Sequence, residues 1–338
     1  MTIASRYSRQ ELFAPIGTQG QEHVRRARVL IAGCGGLGSN TANLLARAGV
    51  GFIRLVDRDL VELSNLQRQL LFDESDAHES APKAIAAARH LAAINSDITI
   101  EPVVADIGID NVFDFLQGID LVLDGLDNLE GRYLLNDACT KNDVPWIYAS
   151  CVSATVMARL ILPGKTACFR CLQRQLPEPG SVRTCDTSGI IGPAALLAAS
   201  IQTSIALHFL TDKLLAPTAL LVADAWHFSL DAIAVSRSDN CPCCALGQFD
   251  FLSSRRQQAV SLCGRNAVQV RPAFDRRPDF GALASRLGVL GTVQVKDQLL
   301  RLEAPPYALT LFEDGRAIVK GTDDPALARS LVSRWIGI

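Results

Sequence analysis

An α/β fold built on a mainly parallel sheet, with a small α+β unit after it, is predicted by three observations. Apolar runs of strand length alternate with helix-forming segments through the first half of the chain. The first run ends in a glycine-rich turn, Gly33-Cys-Gly-Gly-Leu-Gly38, and a helical segment follows at once. Beyond about residue 250 the alternation stops, and short strands with turn residues between them take over.

Taken in order, Arg28 to Ala32 (RVLIA) reads as a strand, Ser39 to Ala48 as a helix, and Gly51 to Val56 as a second strand ending at Asp57. Ala81 to Ile94 is Ala-rich and helical, Ile98 to Val104 extended, Asn111 to Leu116 a short helix, and Asp120 to Leu123 a strand. Leu129 to Lys141 is helical, and Trp146 to Leu162 reads as two strands. From Pro163 to Ile190, Pro, Gly, Arg and Cys replace any period, so a crossover loop is expected over about 163–190. An Ala-rich helix starts at Pro193, and Leu220 to Val222 is strand-like. The expected domains are therefore 1–250 and 251–338. In the second, Ala267 to Val270, Val289 to Val295, Leu299 to Leu302 and Ala308 to Phe312 read as strands, and Phe280 to Leu287 as a helix. Asp314-Gly315 suits a hairpin turn, and Asp323-Asp324-Pro325 opens a last helix with an acidic cap.

Composition narrows the function. The 338 residues are 49% apolar and 20% charged, and 33 basic against 35 acidic side chains leave a net charge of −2. A chain this apolar is not disordered, and its near-neutral total offers no electrostatic case for nucleic acid. The N-terminus has no apolar core of signal-peptide length. The greasiest stretch, Ile190 to Leu210, is broken by Pro193, Ser200, Gln202, Thr203, Ser204 and His208, so a buried helix is expected and no membrane span. A cytoplasmic protein is the expectation.

Gly33, Gly35 and Gly38 sit where a strand gives way to a helix, the position of a phosphate-binding turn. Asp57 follows at the spacing of a ribose-binding acid. Alone, this pair fits NAD or FAD as well as ATP, and a glycine packing turn would look similar. The segment Asp57-Arg-Asp59-Leu-Val-Glu-Leu-Ser64-Asn65-Leu-Gln67-Arg68-Gln69, then Lys83, then Asp124-Gly-Leu-Asp127-Asn128, adds cations and carboxylates. A hydride-transfer enzyme has no need of Arg and Lys on a triphosphate. An adenylating enzyme needs both, with a carboxylate for Mg²⁺.

Arg6-Tyr7-Ser8-Arg9-Gln10, the GCGGLG turn, SNLQRQ, DGLDN and two C-x-x-C pairs closely resemble the ThiF/MoeB/HesA adenylyltransferases, relatives of the ubiquitin-activating enzymes. The resemblance spans roughly residues 5 to 250, and Cys185-Asp-Thr-Ser-Gly-Ile-Ile-Gly-Pro193 with the final Asp314 to Pro325 segment brings it nearest to ThiF. It implies a Rossmann-like ATP-binding domain that adenylates the C-terminal Gly-Gly carboxylate of a ubiquitin-like sulfur carrier, ThiS, for thiazole synthesis. Gly33, Gly35, Gly36 and Gly38 would cradle the phosphates, and Asp57 would hold the ribose. Asp59, Asn65, Arg68, Gln69 and Lys83 would line the triphosphate, and Asp127 would hold Mg²⁺ with Asn128 beside it. Glu79-Ser-Ala-Pro-Lys83 departs from the family, which often has a glycine shortly before the lysine. Arg9 matches an arginine that reaches the partner's site in a homodimer, and Cys185 matches the cysteine that links to the carrier during sulfur transfer from a persulfide donor such as a cysteine desulfurase. The alternatives are MoeB-like activation of MoaD or another sulfur carrier and, from a different class, an NAD-dependent dehydrogenase.

Cys168 and Cys171 form one C-x-x-C pair, and Cys241 and Cys244 the other; the spacing matches a closed four-thiolate structural zinc site, and two buried or redox-active pairs are the alternative. Cys243, inside the second pair, could replace a neighbour as ligand. Cys34, Cys139, Cys151 and Cys263 are expected to be packing residues.

Overall fold

β1 (Arg28–Ala32) is buried along nearly its whole length, because alternate side chains feed two different cores. Val29 and Ile31 enter one, and Leu30 and Ala32 the other. A strand covered on both faces reads as an unbroken apolar run, as this one does. The computed structural model describes residues 6–175, 188–211, 218–253, 259–262, 266–270, 278–296 and 298–337. Two units result, Met1–Ser254 and Arg255–Ile338.

The first unit adds β2 (Phe52–Asp57), β3 (Thr99–Val104), β4 (Leu121–Asp124), β5 (Trp146–Val152), β6 (Thr155–Ile161), β7 (Leu220–Asp224) and β8 (Ser229–Ile233). They form one eight-stranded sheet in the order β3-β2-β1-β4-β5-β6-β7-β8. Pairings from β3 across to β5 are parallel, and those from β5 to β8 antiparallel. The α/β expectation holds. The sequence reading stopped short of β8, all of whose residues are exposed. Helices Gly38–Ala48, Lys83–Ile94 and Gly192–Thr211 cover one face through Ala42, Leu45, Leu91, Ile205 and Phe209. Val112–Leu116 and Leu129–Lys141 cover the other through Leu116, Tyr133 and Leu134.

Gly192–Thr211 is long and apolar enough to cross a bilayer, yet it is a core helix here. Its fully buried Gln202 accepts from Thr41 Oγ1 at 2.8 Å and donates to the carbonyls of Asp124 (2.9 Å) and Ile147 (3.2 Å). A buried amide with its bonds made is tolerated only in a place built for it. This one pins the helix beneath the end of β4.

The second unit is an antiparallel sheet of β9 (Ala259–Leu262), β10 (Ala267–Val270), β11 (Thr292–Lys296), β12 (Leu299–Ala304), β13 (Tyr307–Phe312) and β14 (Ala317–Lys320), ordered β11-β12-β13-β14-β10-β9. Phe280–Leu287 and Pro325–Val332 pack on Val268, Leu300, Leu302, Leu309, Leu311 and Val319. The last helix has the acidic cap expected of it, Asp324 accepting from the Ala326 N–H at 2.8 Å, and Asp279 caps Phe280–Leu287 by accepting from the Ala282 N–H at 3.0 Å.

A candidate nucleotide site and a four-thiol cluster

In the order β3-β2-β1-β4-β5 the connections leave β1 in opposite directions, so a crevice opens between the carboxyl ends of β1 and β4. The glycine turn and the Asp124-to-Asn128 loop meet there backbone to backbone. A Cβ on Gly33, whose φ is +91°, would lie 2.6 Å from the Gly125 oxygen, and one on Gly38 only 1.9 Å from the Gly33 oxygen. A side chain at Gly33 would drive the two loops apart, and one at Gly38 would force open the glycine turn itself.

Asp57, at the end of β2, accepts the Cys34 N–H and the Asp59 N–H, each at 2.6 Å. Burial pushes its carboxyl above the usual carboxylate range, while the Lys83 charge pulls it back. Cys34 itself is a buried packing residue whose thiol is pushed up by burial. Lys83 opens its helix almost fully buried, with Nζ 3.2 Å from Asp59 Oδ2. Its N–H donates to the Asp59 carbonyl, and Val61 N–H to Ala81, so the two ends of the intervening loop are stitched together. Within that loop Asn65 caps the Leu63–Asn65 turn, accepting from Glu62 N–H at 3.1 Å. Arg68 donates from Nη1 to the Ser64 carbonyl at 3.0 Å, and Gln69 is buried. Asp127 and Asn128 are exposed at the mouth of the crevice, 3.3 Å apart from Asn128 Nδ2 to Asp127 Oδ1. Asn128 also caps Leu129–Lys141, its Oδ1 accepting from Gly131 N–H at 2.7 Å.

Gly33, Gly35, Gly36, Gly38, Asp57, Asp59, Asn65, Arg68, Gln69, Lys83, Asp127 and Asn128 thus sit on loops, a strand end and helix starts at one end of the sheet. Arg9 does not join them. Tyr7 packs its ring on Gly49 and accepts from Asn95 Nδ2 at 2.8 Å, and Gln10 donates to the Ala48 carbonyl at 3.0 Å. These fastenings hold the Arg6-to-Gln10 segment at the far end of the 11-residue helix Gly38–Ala48, roughly 16 Å from the glycine turn. Arg9 is exposed there. Cys185 and Cys263 lie outside the described residues.

Four supporting residues, Arg58, Asp124, Arg132 and Asn40, have no role that the sequence alone suggests. Arg58 lies 3.3 Å from Asp106 and 3.7 Å from Asp59, and those carboxylates, with Asp127 and Asp57, raise its affinity for its proton. Asp124 is fully buried and pairs with Arg132 Nε at 2.8 Å. Arg132 Nη2 reaches the carbonyls of Leu126 (2.7 Å) and Ala149 (3.1 Å). Asn40 links the glycine turn to Arg68.

The thiols of Cys168, Cys171, Cys241 and Cys244 lie within 4.8 Å of one another, with Cys168–Cys241 and Cys171–Cys244 both at 3.5 Å. Four thiolates at Zn–S distances of about 2.3 Å stand about 3.8 Å apart, so the cluster fits zinc with little movement. Cys243 is outside this quartet; Asn136 Nδ2 donates to its sulfur at 3.2 Å. The same side chain accepts the Phe169 N–H at 2.8 Å, so one buried amide braces both C-x-x-C turns. Cys139 and Cys151 are buried.

The ThiF family model matches residues 7–243. The sulfur carrier protein ThiS adenylyltransferase of Bacillus subtilis is 41% identical, covering 99% of this chain and 100% of the relative. A sulfur carrier protein adenylyltransferase of Thermus thermophilus is 35% identical over 71% of this chain and 90% of its own. Among solved structures, E. coli MccB with ATP shares the fold, with a TM-score of 0.62 and 24% identity over 71% of this chain and 74% of that one.

Proposed function

This chain belongs to the ThiF family, and we propose that it is the adenylyltransferase that activates ThiS for sulfur transfer to a thiazole. The observation that carries the reading is the gathering of these groups: glycine turn, Asp57, the Asp59–Lys83 pair, Arg68 and Asp127 lie together at the carboxyl end of the parallel strands. A dehydrogenase would leave the lysine, arginine and second carboxylate without work. ThiS is preferred over MoaD because the likeness to the ThiS enzyme runs through Arg255–Ile338 as well.

In this assignment the glycine turn and the following helix start hold the phosphates, and Asp57 the ribose. The carboxylate oxygen of the carrier's last glycine attacks the α-phosphorus, and the bond to the bridging oxygen breaks to release pyrophosphate. Arg68, Lys83 and the Arg9 of a second copy neutralise the charge that gathers on the transferring group. Asp127, an exposed oxygen donor at the crevice mouth, suits Mg²⁺, which would supply further charge neutralisation on the triphosphate. Arg9 stands too far from its own crevice to serve it, which supports a homodimer.

The carrier needs a docking face near the crevice. Registers Val152↔Thr155, Thr155↔Asp224 and Asp224↔Ser229 place the β7–β8 turn at the nucleotide end of the sheet. There Trp226 and Phe228 are 68% and 92% exposed, and Leu230 continues the apolar edge along β8. Exposed aromatics in such a row mark a protein contact. Ser188, three residues after Cys185, accepts through its carbonyl from Ser153 Oγ at 3.1 Å in the β5–β6 turn, at the same end of the sheet. After a donor persulfide passes its outer sulfur to the Cys185 thiolate, that outer sulfur would attack the acyl carbon and expel AMP, leaving the carrier joined to Cys185 as an acyl disulfide. A second thiol would cleave this link, freeing the thiocarboxylate and leaving a disulfide on Cys185.

ATP–pyrophosphate exchange with Mg²⁺ and purified ThiS or MoaD tests the reading. Exchange is expected with ThiS and to survive Cys185→Ser, which should lose only the covalent adduct and thiocarboxylate yield. Exchange with MoaD alone would transfer the enzyme to the rival pathway, and none with any carrier would remove the adenylation step. For the proposed zinc, elemental analysis should find about one ion per chain, lost together with thermal stability in Cys171→Ser. A metal-free native protein would leave the quartet as four plain thiols, two of them buried. We place the enzyme in the cytoplasm.

A further inference from the structure

We propose that Asn40 is a positioning residue for Arg68, fixing its backbone against the glycine turn so that the guanidinium is presented to the triphosphate. The inference rests on the assignment of Arg68 to the nucleotide. Asn40 is the third residue of Gly38–Ala48 and only 2% exposed. Its Nδ2 donates to two carbonyls, Gly36 at 2.6 Å and Arg68 at 2.8 Å. Both partners can only accept, so the chemistry itself sets which end of the amide faces them. One end of this bridge lies in the turn whose N–H groups meet phosphate, and the other in the SNLQRQ loop, 28 residues on.

The Arg68 stem is seated by the same arrangement. A Cβ on Gly36 would lie 3.3 Å from Arg68 Cγ and Cδ, so the bare face of that glycine is where the arginine crosses the turn. The Arg68 N–H donates to Asn65 at 3.1 Å, and its guanidinium rests on the exposed Ser64 carbonyl. A phosphate can replace that last contact. Nothing in catalysis replaces the Asn40 bond, which ties the loop to a helix packed into the core. An amide bond from a rigid element is how a flexible cation is held in register with its target.

A double-mutant cycle on the full chain separates this from a merely structural amide. The readout is equilibrium binding of labelled ATP with Mg²⁺. Asn40→Leu keeps the volume and loses both bonds; Asn40→Ser keeps a hydroxyl able to bond back to Gly36 but cannot reach Arg68. Each is expected to weaken ATP binding about tenfold, the scale of one lost hydrogen bond of good geometry. Arg68→Ala should weaken it at least as much, and Asn40→Ser added to Arg68→Ala should weaken it no further. Effects that multiply in the double variant, or a wild-type affinity in Asn40→Ser, would overturn the inference while sparing Arg68's own role. Wild-type affinity in Arg68→Ala would instead overturn the assignment of Arg68, and this inference with it.

Discussion

Asp127→Ala is expected to lower ATP–pyrophosphate exchange by about a thousandfold or more while leaving the fold intact, as loss of a metal-holding carboxylate does in phosphoryl transfer. Asp127 is exposed and bears no core packing, so the change in stability should stay within about 0.5 kcal/mol. The cap of Leu129–Lys141 belongs to Asn128, which remains. Retained exchange in a folded Asp127→Ala protein would strip the residue of its role. The same variant also tests the homodimer. Arg9→Ala should be inactive by itself, because each crevice then lacks the cation from across the interface. Mixed with Asp127→Ala and allowed to exchange subunits, it should recover about a quarter of wild-type activity, since half the dimers are mixed and each contains one complete site. No recovery from the mixture, with each parent folded and dimeric, would confine Arg9 to its own subunit.

The parallel half of the sheet was open to reading because its strands carry their own punctuation. β1 runs from Arg28 to Ala32 as an unbroken apolar segment and stops at a glycine; β2 stops at Asp57. Burial on both faces writes itself into composition. β8 follows no such rule: Ser229–Ile233 is an exposed edge, and its only signal is Leu230 and Ile233 among polar neighbours. The helix Gly17–Arg26 was passed over for a related reason, since Gly17 and Gly20 weaken its helical pattern.

At the crevice, residues that would touch ligand could be named, and residues that hold them could not. Asp57 was read as a ribose acid from its spacing alone. The structure adds that both carboxylate oxygens are committed to backbone N–H groups, tying the end of β2 to the glycine turn. Asn40 was one letter of a helix, and only the fold brings Arg68 beside it. Asp124 and Arg132 stand eight residues apart across a strand-to-helix junction, a spacing that no periodic pattern flags. Motifs record chemistry; the supports are recorded in three dimensions.

Arg132→Met should destabilise the first unit by about 3–5 kcal/mol, because it strands a buried carboxylate. Asp124 has no solvent exposure, and burial already holds its carboxyl above the ordinary range against the pull of Arg132. Without that cation the group moves further up. A carboxyl whose folded pKa is raised gives stability that is present below its unfolded pKa and lost as pH rises toward the folded one. The gap between wild type and variant should therefore widen on going from mildly acidic to alkaline pH, measured by urea unfolding across that range. Asp124→Asn combined with Arg132→Met removes the stranded charge and should flatten the pH dependence, recovering part of the stability but not the exchange rate. The rate stays down because the Leu126 and Ala149 carbonyls have still lost their donor, and the Leu126 turn leads directly into Asp127. A gap that narrows as pH rises would show that Arg132, rather than the Asp124 carboxyl, sets the electrostatics beneath the crevice.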